Sequence, residues 1–265
     1  AGCSITAYMS ARMISDPREK LLTMIIVGFI PCTAKLAVFM LFCVALFGDY
    51  APVAISIIYL SGFVFGLICA KFLGLFIKGS HTKTKIEIFN YRMPIFKSIL
   101  KSGFTKTMDY VKNAATLITV VATIISFFSL VGFENGQFTV LPEEGIDASL
   151  LGAFGQWLVP VFAPLSLDYK MIISLISGIM AKETAIATLG ILYGTTEEGL
   201  NLVVQNVIGI KQAIVYLVFM FFYLPCISAT ASFYREVKSF KKTSFLIAFT
   251  IGLAYIASAL TNLIL

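Results

Sequence analysis

Cysteine directly follows proline twice in this chain, in Phe29-Ile30-Pro31-Cys32-Thr33-Ala34-Lys35 and in Tyr223-Leu224-Pro225-Cys226-Ile227-Ser228-Ala229-Thr230. Proline removes an amide donor and disrupts the turn before it, which frees a backbone carbonyl. A thiol beside a freed carbonyl makes a compact sulfur-and-oxygen site. In a membrane, such irregular backbone is tolerated only where protein buries it or where it lines a wet cavity. Two such places far apart in sequence suggest a pseudo-symmetric pair of broken helices, as many transporters have. Cys3, in the small-residue run Ala1–Ala7 that opens a helix ending near Arg12, keeps similar company. Simple packing is the competing reading for Cys3, Cys32 and Cys226. Cys43 and Cys69 lie deep in uninterrupted apolar runs and read as small core hydrophobes.

Lys182 and Glu183 stand in the middle of another apolar run. A charge at the bilayer centre costs about 2.5–3.5 kcal/mol on insertion scales. Adjacent helical residues project roughly 100° apart, so the two cannot share one lipid-facing stripe. They face protein, water or an ion. Either they form an internal pair that locks two helices, or Glu183 offers carboxylate oxygen to a cation while Lys182 tunes or replaces that charge. Thr184 and Thr188 continue a polar stripe along the same helix. No G-x-x-x-x-G-K-[ST] occurs, so the chain binds no nucleotide by that device. His81, the single histidine, lies in a basic loop, which excludes an H-E-x-x-H zinc enzyme. No catalytic site is legible.

The elements that carry these residues follow from composition. Of 265 residues, 58% are hydrophobic and 13% charged, with mean hydropathy +0.92. Soluble domains run nearer roughly 45–50% and about 25%. The solvent is therefore lipid, and the fold class is an all-α, polytopic transmembrane bundle with broken or re-entrant helices. A soluble enzyme, a nucleic-acid module and a disulfide-stapled domain are excluded. The +6 net charge carries topology, because the 20 Lys and Arg cluster in a few short loops. Spans are expected at Leu21–Phe47, Ala51–Ile77, Val111–Phe133, Ala213–Tyr234 and Thr243–Leu265. The basic stretches Arg12–Lys20, Lys78–Lys106 and Arg235–Lys242 read as cytoplasmic loops. Alternation then requires 150–193 to cross twice or to re-enter; Leu150–Leu165 is broken by Pro160 and Pro164. The chain divides at about 133 into a first and a second gate region within one membrane unit. Ala1 reads as a cut through a longer protein.

Taken in order, the motifs resemble the membrane half of the FeoB family of bacterial ferrous-iron transporters. Gly2–Arg12 is similar to G-C-x-V-P-A-x-M-A-T-R, Arg18–Thr23 to R-x-R-L-L-T, and Pro31–Leu36 to S-C-x-A-R-L. Glu87–Pro94 resembles E-L-P-x-Y-R-x-P, Ala181-Lys182-Glu183 the family's A-K-E, and Pro225–Thr230 with Arg235-Glu236 its P-C-x-A-T and R-E. Thr6, Ala37 and Phe89 stand where the family has proline, and Pro31 where it has serine. The resemblance implies a paired-gate fold in the bacterial inner membrane and Fe2+ as cargo. It also implies GTP and Mg2+ acting only through a GTPase domain, in cis or trans, that this sequence lacks. Small Feo accessory proteins and a homo-oligomer are further implied partners, beside the lipid bilayer and without nucleic acid. Combined with the residues, it suggests a relay of Cys3, Cys32, Cys226 and Glu183, gated at Pro31, Pro225, Lys182, Thr184 and Thr230. The alternatives are a gate-fold carrier for another solute such as a nucleoside, with Tyr8 and Asn113 as candidates, and a membrane anchor that transports nothing.

Overall fold

A computed structural model describes residues 2–76, 96–134, 137–140, 149–196, 199–223 and 225–265. Twelve α-helices account for most of them: α1 (Ser4–Ser10), α2 (Pro17–Phe29), α3 (Thr33–Phe47), α4 (Ala51–Phe76), α5 (Phe96–Leu130), α6 (Leu150–Phe162), α7 (Tyr169–Ser177), α8 (Lys182–Leu192), α9 (Leu200–Val203), α10 (Ile210–Phe222), α11 (Ile227–Val237) and α12 (Phe240–Ile264). The all-α bundle with broken helices is what the sequence leads one to expect.

Each expected span has its counterpart, with informative differences. Leu21–Phe47 is two helices, α2 and α3, broken at Ile30-Pro31-Cys32. Ala213–Tyr234 is likewise α10 and α11, with Pro225 and Cys226 between them. Asp16 starts α2 by accepting the Arg18 N–H at 2.8 Å, and Pro17 occupies the first helical position, where its missing donor does no harm. Among the described residues, three stretches are long and apolar enough to cross a membrane: Pro17–Leu75, which contains α2 to α4, Ile210–Val237 and Phe240–Ile264. The pair Gly152–Leu165 and Tyr169–Ser177, bent by 105°, makes a fourth if counted as one broken span. Val53, Ile57, Leu60, Val64, Ile68 and Phe72 all point outward from α4, a face that only lipid or another apolar surface can cover.

Three expectations need correction. Pro160 lies inside α6 and does not break it. Lys97 and Lys101 are on α5, not in a loop, because that helix begins at Phe96, well before Val111. The span expected to reach Phe133 stops at Leu130, and Val131–Glu134 pairs antiparallel with Gln137–Val140. The pair Asn135-Gly136 between two alternating segments is a hairpin signal that hydropathy alone conceals. His81, the motif Glu87–Pro94 and most of the Lys78–Lys106 stretch lie outside the described residues, as does the side chain of Asn113.

Two apolar cores hold the bundle. One joins α3, α7, α8 and α10, with Phe42 stacked on Tyr216 at 5.0 Å. The other joins α1, α2 and α11, with Tyr8 edge-on to Phe233 at 5.8 Å. Phe222, the last residue of α10, packs against both. The helix breaks gather where the cores meet.

Candidate functional site

All three suspected cysteines are helix N-cap residues. Cys3 precedes α1, Cys32 precedes α3 and Cys226 precedes α11, each with extended backbone and each half-buried. Their carbonyls take the first helical hydrogen bonds, from Ala7 at 3.3 Å, Leu36 at 3.0 Å and Thr230 at 2.9 Å. Each thiol therefore lies at a helix start, beside first-turn amide N–H groups that the helix itself leaves unpaired. Cys226 lies within electrostatic reach of both Cys32 and Cys3. Among the described residues, no three His, Cys, Asp or Glu side chains stand close enough to chelate one metal ion together. No disulfide joins the five cysteines, and Cys43 and Cys69 are buried in the cores as expected.

The two Pro-Cys breaks are physically joined. Pro225 has no N–H to give the carbonyl four residues before it, which belongs to Phe221. That oxygen instead accepts from Lys35 Nζ at 3.0 Å, a buried ammonium on the first turn of α3. A side chain of the first Pro-Cys motif therefore fills the gap made by the proline of the second. Beside the first break, α4 comes very close: a Cβ at Gly62 would lie 2.9 Å from Pro31 Cδ and 3.0 Å from the Phe29 carbonyl. Only glycine allows that approach.

A third break, which no proline announces, separates α7 from α8 at Gly178–Ala181. The Ile227 N–H, at the start of α11, donates to the Ile179 carbonyl at 2.9 Å and ties this break to the second. Tyr223 Oη donates to the Leu175 carbonyl at 3.0 Å across the same contact. Thr184 Oγ1 sits 2.7 Å from the Ala181 carbonyl and 2.9 Å from that of Ser177, and Thr188 Oγ1 donates to Ser177 Oγ at 2.8 Å. Thr230 does the same office at the second break, within 3.2 Å of the Cys226 carbonyl and 3.3 Å of the Pro225 carbonyl. The gating residues expected from sequence thus all sit on the breaks.

Lys182 and Glu183 part company. Lys182, 2% exposed, turns inward, with Nζ 3.9 Å from the centre of the Tyr223 ring and 3.7 Å from Met220 Sδ. Glu183 faces out of the bundle on the exposed stripe it shares with Ala187 and Ile191. They are not an internal ion pair. Lys35 and Lys182 lie within electrostatic reach of each other and of Cys32 and Cys226. Tyr8 Oη and Ser228 Oγ are buried with no hydrogen-bond partner among the described residues. Lys35 stands out in the sequence as a charge in an apolar run, but Met220 and Tyr223 carry no such signal.

At one end of the bundle, Glu236 of α11 binds both Arg12 and Lys20, the latter at 3.1 Å. Two of the three basic stretches read as cytoplasmic loops therefore meet on one carboxylate.

The chain is similar in sequence to known proteins and families. Residues 111–240 match the Gate family, described as nucleoside recognition, and residues 55–106 match the family described as ferrous iron transport protein B C terminus. A Campylobacter jejuni protein named Fe(2+) transporter FeoB is 36% identical over 97% of this chain and 44% of its own length. Proteins of the same name from Methanocaldococcus jannaschii and Helicobacter pylori are 31% and 30% identical over 99% and 96% of this chain. The chain spans less than half the length of these relatives. No solved structure matches it.

Proposed function

This chain belongs to the FeoB family of ferrous-iron transport proteins, and from that premise we infer that it forms the membrane passage through which Fe2+ crosses. The observation that carries the reading is the placement of Cys3, Cys32 and Cys226 as N-caps at helix starts that gather between two cores. Ferrous iron binds more weakly than copper or zinc at comparable sites, so a pathway for it works by geometry and availability. As Fe2+ arrives, each cysteine that takes it exchanges an S–H bond for an S–Fe bond and gives up a proton. Thiols spaced along the breaks hand the ion on one or two ligands at a time, so no site holds it too tightly to leave.

The breaks act as the gates. Pro31 and Pro225 keep helical backbone from closing through these points, and Lys35, Thr184 and Thr230 hold the interrupted carbonyls in place. One gate is contributed by residues 1–133 and the other by 134–265. Glu183 faces out of the bundle at the start of α8, so the relay runs through the three thiols without it. The end carrying Arg12, Lys20 and Glu236 is the cytoplasmic end, supported by its basic flanks, and there a GTP-binding domain in cis or trans couples to α11. The nucleoside alternative rests on the description of the Gate family, whereas the relatives matching 96% or more of the chain are named for Fe(2+).

The test is anaerobic Fe2+ uptake by cells carrying the full-length protein with Cys32→Ser and Cys226→Ser, with membrane abundance measured alongside. Uptake falls at least tenfold at normal abundance if the thiols line the path. Unchanged uptake returns the cysteines to packing.

A further inference from the structure

Buried charges are ordinarily paired with an opposite charge, because an isolated ion in a dry interior is very costly. Lys35 and Lys182 break that pattern. Both are buried at the junction of the breaks, and among the described residues neither is paired with a carboxylate. What surrounds their ammonium groups is the Phe221 carbonyl oxygen, the Met220 thioether and the face of Tyr223. The Cys32 and Cys226 thiols stand within electrostatic reach. Carbonyl oxygen, soft sulfur and an aromatic face are groups that attract cations in general. The junction is furnished for positive charge, and the Lys35 side chain supplies it.

We propose that the Lys35 ammonium is a tethered cation, occupying the Phe221 carbonyl until a divalent ion displaces it, so that Lys35 determines which ions the junction passes. The idea rests on the reading that the passage runs through the breaks. Coulomb attraction to a fixed oxygen or sulfur scales with the charge of the ion. A potassium or sodium ion carries the same single charge as the ammonium, must shed its water and gains nothing in the exchange. A divalent ion sheds its water at greater cost still, but it doubles the attraction and gains a sulfur bond as a thiol proton leaves, and that bond lets it push the lysine aside. The lysine swings back when the ion leaves.

A plain helix cap would also put a donor on the Phe221 carbonyl, and the two roles separate cleanly. A cap needs only an N–H group, which an uncharged amide provides, whereas a tethered cation needs charge. The full-length protein is reconstituted in liposomes, with K+ efflux and Fe2+ influx read by entrapped dyes. Wild type and Lys35→Arg hold K+, while Lys35→Gln, still a donor, leaks it at least tenfold faster. As a second variant, Lys35→Ala leaks K+ until propylammonium is added, and neutral propionamide does not seal it. If Lys35→Gln or Lys35→Ala, shown to be folded by its thermal melt, holds K+ as tightly as wild type, the proposal is wrong. The Cys32→Ser Cys226→Ser protein in the same liposomes then tells which idea failed. Fe2+ influx lost in that protein keeps the passage and discards the tethered cation; Fe2+ influx retained discards both.

Discussion

Lys20, on the first turn of α2, reaches the carboxylate of Glu236, near the end of α11, at 3.1 Å, and Glu236 also binds Arg12. One side chain, only 6% exposed, thereby holds together the segment after α1, the start of α2 and the end of a gate helix.

Removing the charge should loosen all three at once. Glu236→Gln is expected to lower stability by about 1.5–3 kcal/mol, the usual range for hydrogen bonds to charged groups. Arg12→Ala should cost less, about 0–1 kcal/mol, because the arginine is largely in solvent. Thermal melts in detergent of these two variants and Lys20→Met give the order; Arg12→Ala as the worst of the three would contradict it.

The close approach of α4 to the first break predicts a contrast between glycines. Gly62→Ala forces a methyl against Pro31 and the Phe29 carbonyl and should cost about 1–3 kcal/mol, in the range for overpacking. Gly252→Ala, in α12, meets nothing within 4 Å and should be neutral or slightly stabilising. Equal melting temperatures for the two would mean that α4 does not press on the break.

Thiol labelling of the full-length protein should fall into two classes. Cys3, Cys32 and Cys226 are half-buried at helix starts, while Cys43 and Cys69 are enclosed by apolar side chains. Mass spectrometry after short exposure to a small maleimide is expected to find the first three modified and the other two intact. Early modification of Cys43 would show the α3 core to be looser than drawn.

Thr184 supplies one of several hydrogen bonds at the third break. Thr184→Val removes the donor between the Ala181 and Ser177 carbonyls at nearly constant volume and should destabilise by about 1–3 kcal/mol, whereas Thr184→Ser keeps it. Fe2+ uptake should fall several-fold in the valine variant and survive in the serine variant. A valine variant with wild-type uptake would separate this break from transport.

How far these relationships can be read without coordinates depends on which residues carry them. Hydropathy locates every long apolar helix, since spans of this length have no other solution in lipid. Pro31 and Pro225 mark two breaks because proline cannot donate, and the cysteines after them cap the next helices. The break at Gly178–Ala181 has no proline and is invisible to that rule. Adjacency in sequence says that Lys182 and Glu183 diverge, but not which of them turns inward. Lys35 is conspicuous as a lone charge, yet its partner Phe221 offers a backbone oxygen, and no side-chain pattern reports that. The paired strands 131–134 and 137–140 are concealed because Val131 and Phe133 continue the apolar run that ends α5.

The bond between Lys35 and Phe221 spans 186 residues of sequence, and that separation bears on biogenesis. Ribosomes deliver α3 to the bilayer long before α10 exists. During that interval the lysine has no oxygen to bond in the hydrocarbon, and α3 cannot settle at its final depth. Completion of α10 supplies the oxygen that Lys35 bonds, so the junction of the two breaks cannot form on an incompletely synthesised chain.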